Sequence, residues 1–340
     1  MPRANQTPRT VIITGATAGV GRAIAHRFAR AGDRIGLIAR DPTALESVRQ
    51  EVEAFGAEQT VVEPLDVADA AAVFAAVARL EQKLGPVDIW INDAMLTVFS
   101  TVADITPEEF RRVTEVTYLG FVHGTMAALK SMRPRGSGRI IQIGSALAYR
   151  GIPLQSAYCG AKHAIRGFTD SLRTELTHEG SDIHISIVEL PAVNTPQFDW
   201  ARVHIGRSPR PMGRPVQPEI VADAVFRVAR GRWREYWLGT PTILTIVANA
   251  AFPGLLDRYL ARKAVEGQQT ARPIPYGRRD NLDEPLANFH RTRGSFSSEV
   301  ISRAPLVTGE LVRVGIVAAV AFAGFLLGVA VKARRGPRGP

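Results

Sequence analysis

The 340-residue chain reads as an α/β protein, a single domain built on a doubly wound parallel sheet. Two observations predict this class. Short Val- and Ile-rich runs are apolar at nearly every position, as strands covered on both faces must be. Helical patterns of 11 to 26 residues separate them, the rhythm of βαβ units.

The strand runs lie at 11–14, 34–39, 60–64, 87–92, 139–144 and 183–190, and the helical stretches at 21–31, 69–84, 107–132 and 155–178. The third helix opens on Thr106-Pro107-Glu108-Glu109, a capping box with proline at the first helical position. After Leu190 the rhythm changes. Residues 191–218 hold six prolines and four arginines and read as a long loop that orders on binding. A helix at 218–230 and a strand at 236–238 complete the sheet. Residues 241–262 are apolar, but Pro253-Gly254 interrupts them, which argues against a spanning helix there. Residues 266–305 are polar and rich in Arg, Pro and Gly, the composition of a linker or loosely held extension. Residues 314–331 carry no charge and predict a transmembrane helix, since at about 1.5 Å per residue they come close to a hydrocarbon core of roughly 30 Å. A basic tail, 332–340, follows.

Composition narrows the classes. With 46% hydrophobic and 22% charged residues the chain is neither collagenous nor wholly disordered. One cysteine, Cys159, excludes an intrachain disulfide framework and fits a reducing compartment; it reads as a small buried filler. Seven histidines show no metal-ligand spacing, so no metal is expected. The net charge of +10 is uneven: residues 1–200 carry 20 Lys+Arg against 22 Asp+Glu, and residues 201–340 carry 22 against 10. Eight arginines fall between 202 and 234, but no aromatic-interleaved binding motif accompanies them, so nucleic acid is not an expected partner. Basic residues beside an apolar segment suit anionic lipid headgroups instead.

The chemistry begins at Thr14-Gly15-Ala16-Thr17-Ala18-Gly19-Val20-Gly21, between the first strand and first helix. Glycines there let the backbone approach a pyrophosphate, and the helix N-terminus supplies N–H groups and partial positive charge. Gly15, Thr17, Gly19, Val20 and Gly21 are therefore the expected contacts of a dinucleotide. About twenty residues on, an acidic residue would hold the ribose 2′-hydroxyl of NAD. Ala39 and Arg40 stand there, and a guanidinium without a carboxylate favours the 2′-phosphate of NADP, with NAD the less favoured cofactor.

Tyr158 and Lys162 sit at i and i+4 on one helix face, and Ser145 follows the strand at 139–144. A cation near the phenol is expected to lower its pKa from about 10. Tyr158 can then pass a proton to or from a carbonyl or alcohol oxygen as hydride moves, while Ser145 hydrogen-bonds the same oxygen.

With these motifs the sequence resembles the short-chain dehydrogenase/reductase family over roughly residues 8–240, which implies a Rossmann-type fold. The resemblance extends to Asp66-Val67 as an adenine contact, to Asn92 and Ala94 after the fourth strand, and to Pro191, Val193 and Thr195 after the sixth. It implies that Tyr158 is the catalytic acid/base, that Lys162 holds the nicotinamide ribose and tunes Tyr158, that Ser145 orients substrate, and that Thr195 touches the carboxamide. The chain departs from the family pattern at Asp93 and Met95, where Asn and Gly are usual, at Ala192, where Gly is usual, and at Thr117, where an asparagine serves the proton relay.

The implied function is an NADP(H)-dependent oxidoreductase interconverting a carbonyl and an alcohol. Met95, Phe99, Leu147, Tyr149, Phe198 and Trp200 fall where the family's substrate cleft lies and suit a lipophilic substrate. The alternative is a catalytically weak NADP-binding scaffold or sensor at a membrane. The implied organisation is a catalytic domain at 1–240 with 191–218 as substrate loop, an extension and linker at 241–313, the membrane helix at 314–331, and the tail. Residues 1–10 show no secretory h-region, so the catalytic domain is expected on the cytoplasmic side of a membrane. Gly324 and Gly328 form a GxxxG spacing that can pair two such helices into a homo-oligomer.

Overall fold

The computed structural model describes residues 7–334. In chain order, β1 (Thr10–Thr14), α1 (Gly19–Ala29), β2 (Arg34–Ala39), α2 (Pro42–Ala54), β3 (Thr60–Pro64), α3 (Ala70–Leu84) and β4 (Ile89–Asn92) form the first half. A short β5 (Val98–Phe99), α4 (Pro107–Thr114), a π-helical turn (Glu115–Leu119), α5 (Gly120–Met132) and β6 (Ser137–Ile143) follow. Then come α6 (Ser156–His178), β7 (Asp182–Glu189), α7 (Gln197–Trp200), β8 (Arg202–Val203), β9 (Arg207–Pro209), α8 (Pro218–Val228) and β10 (Glu235–Leu238). The chain closes through α9 (Thr240–Ala251), α10 (Pro253–Gly267), β11 (Gln269–Pro273), β12 (Leu306–Thr308) and α11 (Gly309–Arg334).

Eight strands make the main sheet in the order β12-β10-β7-β6-β4-β1-β2-β3, parallel except for β12 against β10. Val11, Ile12 and Ile13 in β1 are fully buried, because helices cover both faces. Phe28, Leu45 and Val225 from α1, α2 and α8 fill one layer. Val77, Leu80 and Leu172 from α3 and α6 fill the other. β1 pairs with β2 on one side and β4 on the other, so strand order reverses there and a crevice opens beyond their C-terminal ends.

Several elements differ from the sequence expectation. The helix expected over 107–132 contains the π turn, where one extra residue per turn re-aims Val116 and Thr117 inward. Helix α2 was not anticipated, although Asp41 caps it by accepting from the Ala44 N–H at 3.0 Å and Pro42 opens it. Residues 191–218 hold α7, β8 and β9 rather than a bare loop. Residues 266–305 are not a loose linker: β11 pairs with β9, and Leu282 and Leu286 are buried.

The transmembrane helix expected over 314–331 is not supported: among the described residues no helix is long and apolar enough to cross a membrane. Residues 314–331 do lie within α11, where Val314, Val317, Val320 and Phe325 stand exposed. The side chains of Gly324 and of 327–331, with the GxxxG spacing, and the tail at 335–340 lie outside the described residues.

Candidate active site

A cavity of about 760 Å³ occupies the crevice. Gly15, at φ +72°, turns the loop so tightly that a Cβ there would stand 2.8 Å from the Ala94 backbone nitrogen. A Cβ on Gly21 would collide with the Gly15 carbonyl and lie 2.9 Å from Asp93 Oδ2. These glycines let the loop fold against the end of β4. The first turn of α1 has neither a side-chain cap nor an acidic residue, so its N–H groups and partial positive charge suit an anion. This cradle fits the pyrophosphate of a dinucleotide.

Gly15, Thr17, Gly19 and Val20 line the cavity, while Gly21 sits behind them. Arg40, Asp66 and Val67 line its other end. Arg40 donates to the carbonyls of Asn281 (2.5 Å) and Asp283 (2.9 Å), and Asp66 is ion-paired to Arg112. Ala94 reaches the cavity, but Asn92 does not. Asn92 is fully buried, accepting from Trp90 Nε1 at 2.7 Å and donating to Gln142 Oε1 at 2.8 Å. It is a core cross-link between β4 and β6.

The structure brings Ser145, Tyr158 and Lys162 together on the cavity wall. Ser145 leaves the end of β6, and its Oγ accepts from the Leu147 N–H at 3.2 Å. The Tyr158 and Ser145 hydroxyls are hydrogen-bonded. Lys162 is buried, its Nζ donating to the Ile143 carbonyl at 2.7 Å and lying 4.5 Å from the Phe121 ring centroid. The phenol departs from expectation. Burial pushes its pKa well above the usual value, the Ser145 hydrogen bond pulls it back only in part, and Asp93 and Glu189 add to the rise. Lysine at i+4 does not overcome desolvation, because burial also draws the Lys162 ammonium down. Asp93 faces Lys162 and accepts from the Gly21 N–H; its carboxyl is raised by burial, against the lysine's pull.

Thr117 is fully buried, and its Oγ1 both accepts from the Leu96 N–H and donates to the Leu96 carbonyl, each at 3.0 Å. Its hydroxyl fastens the π turn to the cavity wall, so it is committed to backbone rather than to a relay water. Pro191, Val193 and Thr195 line the cavity, as do Met95, Leu147, Phe198 and Trp200. Phe99 and Tyr149 do not: Phe99 is buried 6.0 Å from the Phe198 ring, and the Tyr149 hydroxyl meets Glu235 and Arg313. Sequence reasoning missed the far wall. Leu244, Leu256, Tyr259 and Lys263 come from α9 and α10, and Asn281, Leu286 and His290 from the following segment. No motif marks them, and the interrupted apolar run at 241–262 is read from sequence only as an unlikely spanning helix. The Cys159 thiol is buried and pushed up to about 11 by desolvation, as an inert filler would be. No metal-binding group of His, Cys, Asp or Glu occurs among the described residues.

Comparison with known proteins decides the family. Residues 9–202 match the short chain dehydrogenase profile. The chain belongs to the short-chain dehydrogenase/reductase family. It is 30% identical over 269 residues to the uncharacterized oxidoreductase YxnA of Bacillus subtilis, covering 78% of this chain and 75% of that one. It is 31% identical over 266 residues to dehydrogenase/reductase SDR family member 7B of Bos taurus, covering 75% and 81%. Among solved structures it resembles an alcohol dehydrogenase from the archaeon Thermococcus sibiricus complexed with 5-hydroxy-NADP, at TM-score 0.60 and 26% identity over 68% of this chain and 96% of that one. It also resembles a variant actinorhodin polyketide ketoreductase with NADPH, at TM-score 0.60 and 29% identity, covering 67% and 92%. This short-chain dehydrogenase/reductase is thus a Rossmann-type, NAD(P)-dependent oxidoreductase.

Proposed function

We propose that the enzyme uses NADPH to reduce a lipophilic carbonyl compound, with Tyr158 as proton donor. The observation that carries this reading is the hydrogen-bonded Ser145–Tyr158 pair on the wall of a cavity that also holds the glycine loop. A bound nicotinamide supplies or accepts the hydride. The chain does the rest. Ser145 and Tyr158 hydrogen-bond the carbonyl oxygen, and Tyr158 hands it a proton as negative charge develops there. The raised phenol keeps that proton at neutral pH, which suits reduction. Lys162, together with Pro191, Val193 and Thr195, holds the nicotinamide end, and Asp66, Val67 and Ala94 flank the adenosine.

Two solved complexes support the cofactor assignment, since both structural relatives carry an NADP(H) form. Arg40, with Ala39 rather than an acid at the end of β2, favours the phosphorylated cofactor. Met95, Leu147, Phe198, Leu244 and Leu256 suit an apolar substrate. Leu244, Phe252, Leu255 and Tyr259 are exposed at or beside the cavity rim, and α11 exposes Leu311, Val314 and Val317. These surfaces support attachment to a bilayer, with the sheet domain on the side that supplies NADPH.

Steady-state oxidation of NADPH and NADH with ketones of increasing chain length tests the reading. The expected result is a preference for NADPH and a kcat/KM that grows with chain length. Equal use of both cofactors removes the NADP assignment, and indifference to length removes the lipophilic one. A scaffold role is favoured by the committed Thr117 hydroxyl alone, and NADPH binding without turnover on any ketone would support it.

A further inference from the structure

Residues 281–297 run along the cavity, which Asn281, Pro285, Leu286 and His290 line, and are fastened at both ends and in the middle. At the adenosine end, Leu282 is buried in the same apolar cluster as Ile38 and Val67. Its carbonyl accepts from Arg112 Nε at 3.2 Å, and Arg40 donates to the carbonyls of Asn281, Leu282 and Asp283. In the middle, the Gly19 N–H donates to the Arg291 carbonyl at 3.0 Å, and Arg22 Nη1 donates to the His290 carbonyl at 2.5 Å. At the far end, the Gly294 N–H reaches the Asn194 carbonyl and the Phe296 N–H reaches Asn194 Oδ1, each at 3.0 Å. Gly294 lies so close that a Cβ would strike the Thr195 carbonyl.

The segment therefore runs from Arg40, at the expected adenosine end, to Thr195, at the expected nicotinamide end. We propose that residues 281–297 are a strap that retains the cofactor. It closes over the bound dinucleotide and must lift for it to leave, with Arg40 acting as a strap anchor as well as a 2′-phosphate contact. This rests on the reading that the cavity takes NADPH. The physical case is continuity and adjacency. Asn281, Leu286 and His290 form the cavity's outer wall, so a ligand inside is enclosed by them. The Gly19 N–H that holds Arg291 belongs to the helix terminus that attracts phosphate. The middle latch is thus anchored on the same turn that takes the pyrophosphate, which couples strap position to cofactor occupancy. The strap also explains why a polar, Arg-rich stretch is ordered: its backbone carbonyls accept from Arg40, Arg112, Arg22 and Gly19, and its side chains pair with the body, Arg291 with Asp199 and Arg293 with Glu219.

The test uses the full chain and stopped-flow measurement of NADPH and NADH release. Leu282→Ala loosens the adenosine end, and Gly294→Val unseats the opposite end. The expected result is release about tenfold faster from each variant for both cofactors, because affinity changes of this kind appear mainly in the off-rate. In the wild type, NADPH is expected to slow tryptic cleavage at Arg291 and Arg293. Release within roughly twofold of wild type in both variants overturns the proposal. So does cleavage that NADPH does not slow. No NADPH binding by the wild type defeats the cofactor reading itself, a separate outcome.

Discussion

The ammonium of Lys162 donates to the carbonyl of Ile143 at 2.7 Å. Ile143 ends β6, two residues before Ser145, so this bond ties the helix carrying Tyr158 to the strand carrying the serine. The acid and its partner hydroxyl are held on one frame. Replacing Lys162 by Met strands the Ile143 carbonyl in a dry site. We expect a stability loss of about 1–3 kcal/mol in urea denaturation. A fall in kcat/KM of about 10²–10⁴ accompanies it if the frame serves the proton transfer. Unchanged kinetics would separate Lys162 from the chemistry.

The raised phenol of Tyr158 sets the direction of the pH dependence. Its proton stays on through neutral pH, so carbonyl reduction finds the acid ready. Alcohol oxidation needs the phenolate, so its rate rises steadily as pH climbs into the alkaline range, while reduction stays level for as long as the phenol keeps its proton. Initial rates of both directions across pH 6 to about 10 check this. An oxidation rate that is level over that range contradicts the assignment.

Glu189 is fully buried behind Gly144, and its carboxyl is pushed up to about 8, chiefly by desolvation. In the unfolded chain a glutamate titrates near 4.3. The folded state therefore holds a proton that the unfolded state has lost between about pH 4.3 and 8. Wild-type stability falls as pH rises through that window and levels off above it. Glu189→Gln lacks the titrating group, so its melting temperature relative to wild type is expected to rise from pH 5 to 8. Parallel melting curves across those values contradict a buried, protonated Glu189.

Thr117 shows how a departure from family pattern is absorbed. Thr117→Val leaves the Leu96 N–H and carbonyl unpaired, at an expected cost of about 1–3 kcal/mol. Because Leu96 lines the cavity, the substrate KM should rise too. Thr117→Ser, which keeps the hydroxyl, should restore both. Failure of Ser to restore them would assign the role to the threonine methyl instead.

These cases mark what was legible beforehand. The parallel sheet, the glycine loop and the Ser145, Tyr158 and Lys162 set were readable because each is written in short spacings or unbroken apolar runs. The direction of the Tyr158 shift was not, because an i,i+4 spacing carries no information about desolvation. Phe99 and Tyr149 were misplaced by a similar gap: adjacency to a cleft in sequence does not say which way a ring packs. The stretch 281–297 looked like a linker because Arg40 and Gly19 meet its carbonyls, which every residue has, across more than 240 positions. Arg40 itself had two readings, phosphate contact and anchor, and sequence offers only the first.

The central claim is that Tyr158 delivers the proton in an NADPH-dependent carbonyl reduction. The most direct test is NADPH oxidation over a panel of aldehydes and ketones by wild type and Tyr158→Phe, with cofactor binding measured for each. The expected result is wild-type turnover on an apolar member, a loss of about 10²–10⁴ in kcat for Tyr158→Phe, and NADPH binding by both. Equal turnover by the two proteins, or none by a wild type that binds NADPH, would contradict it.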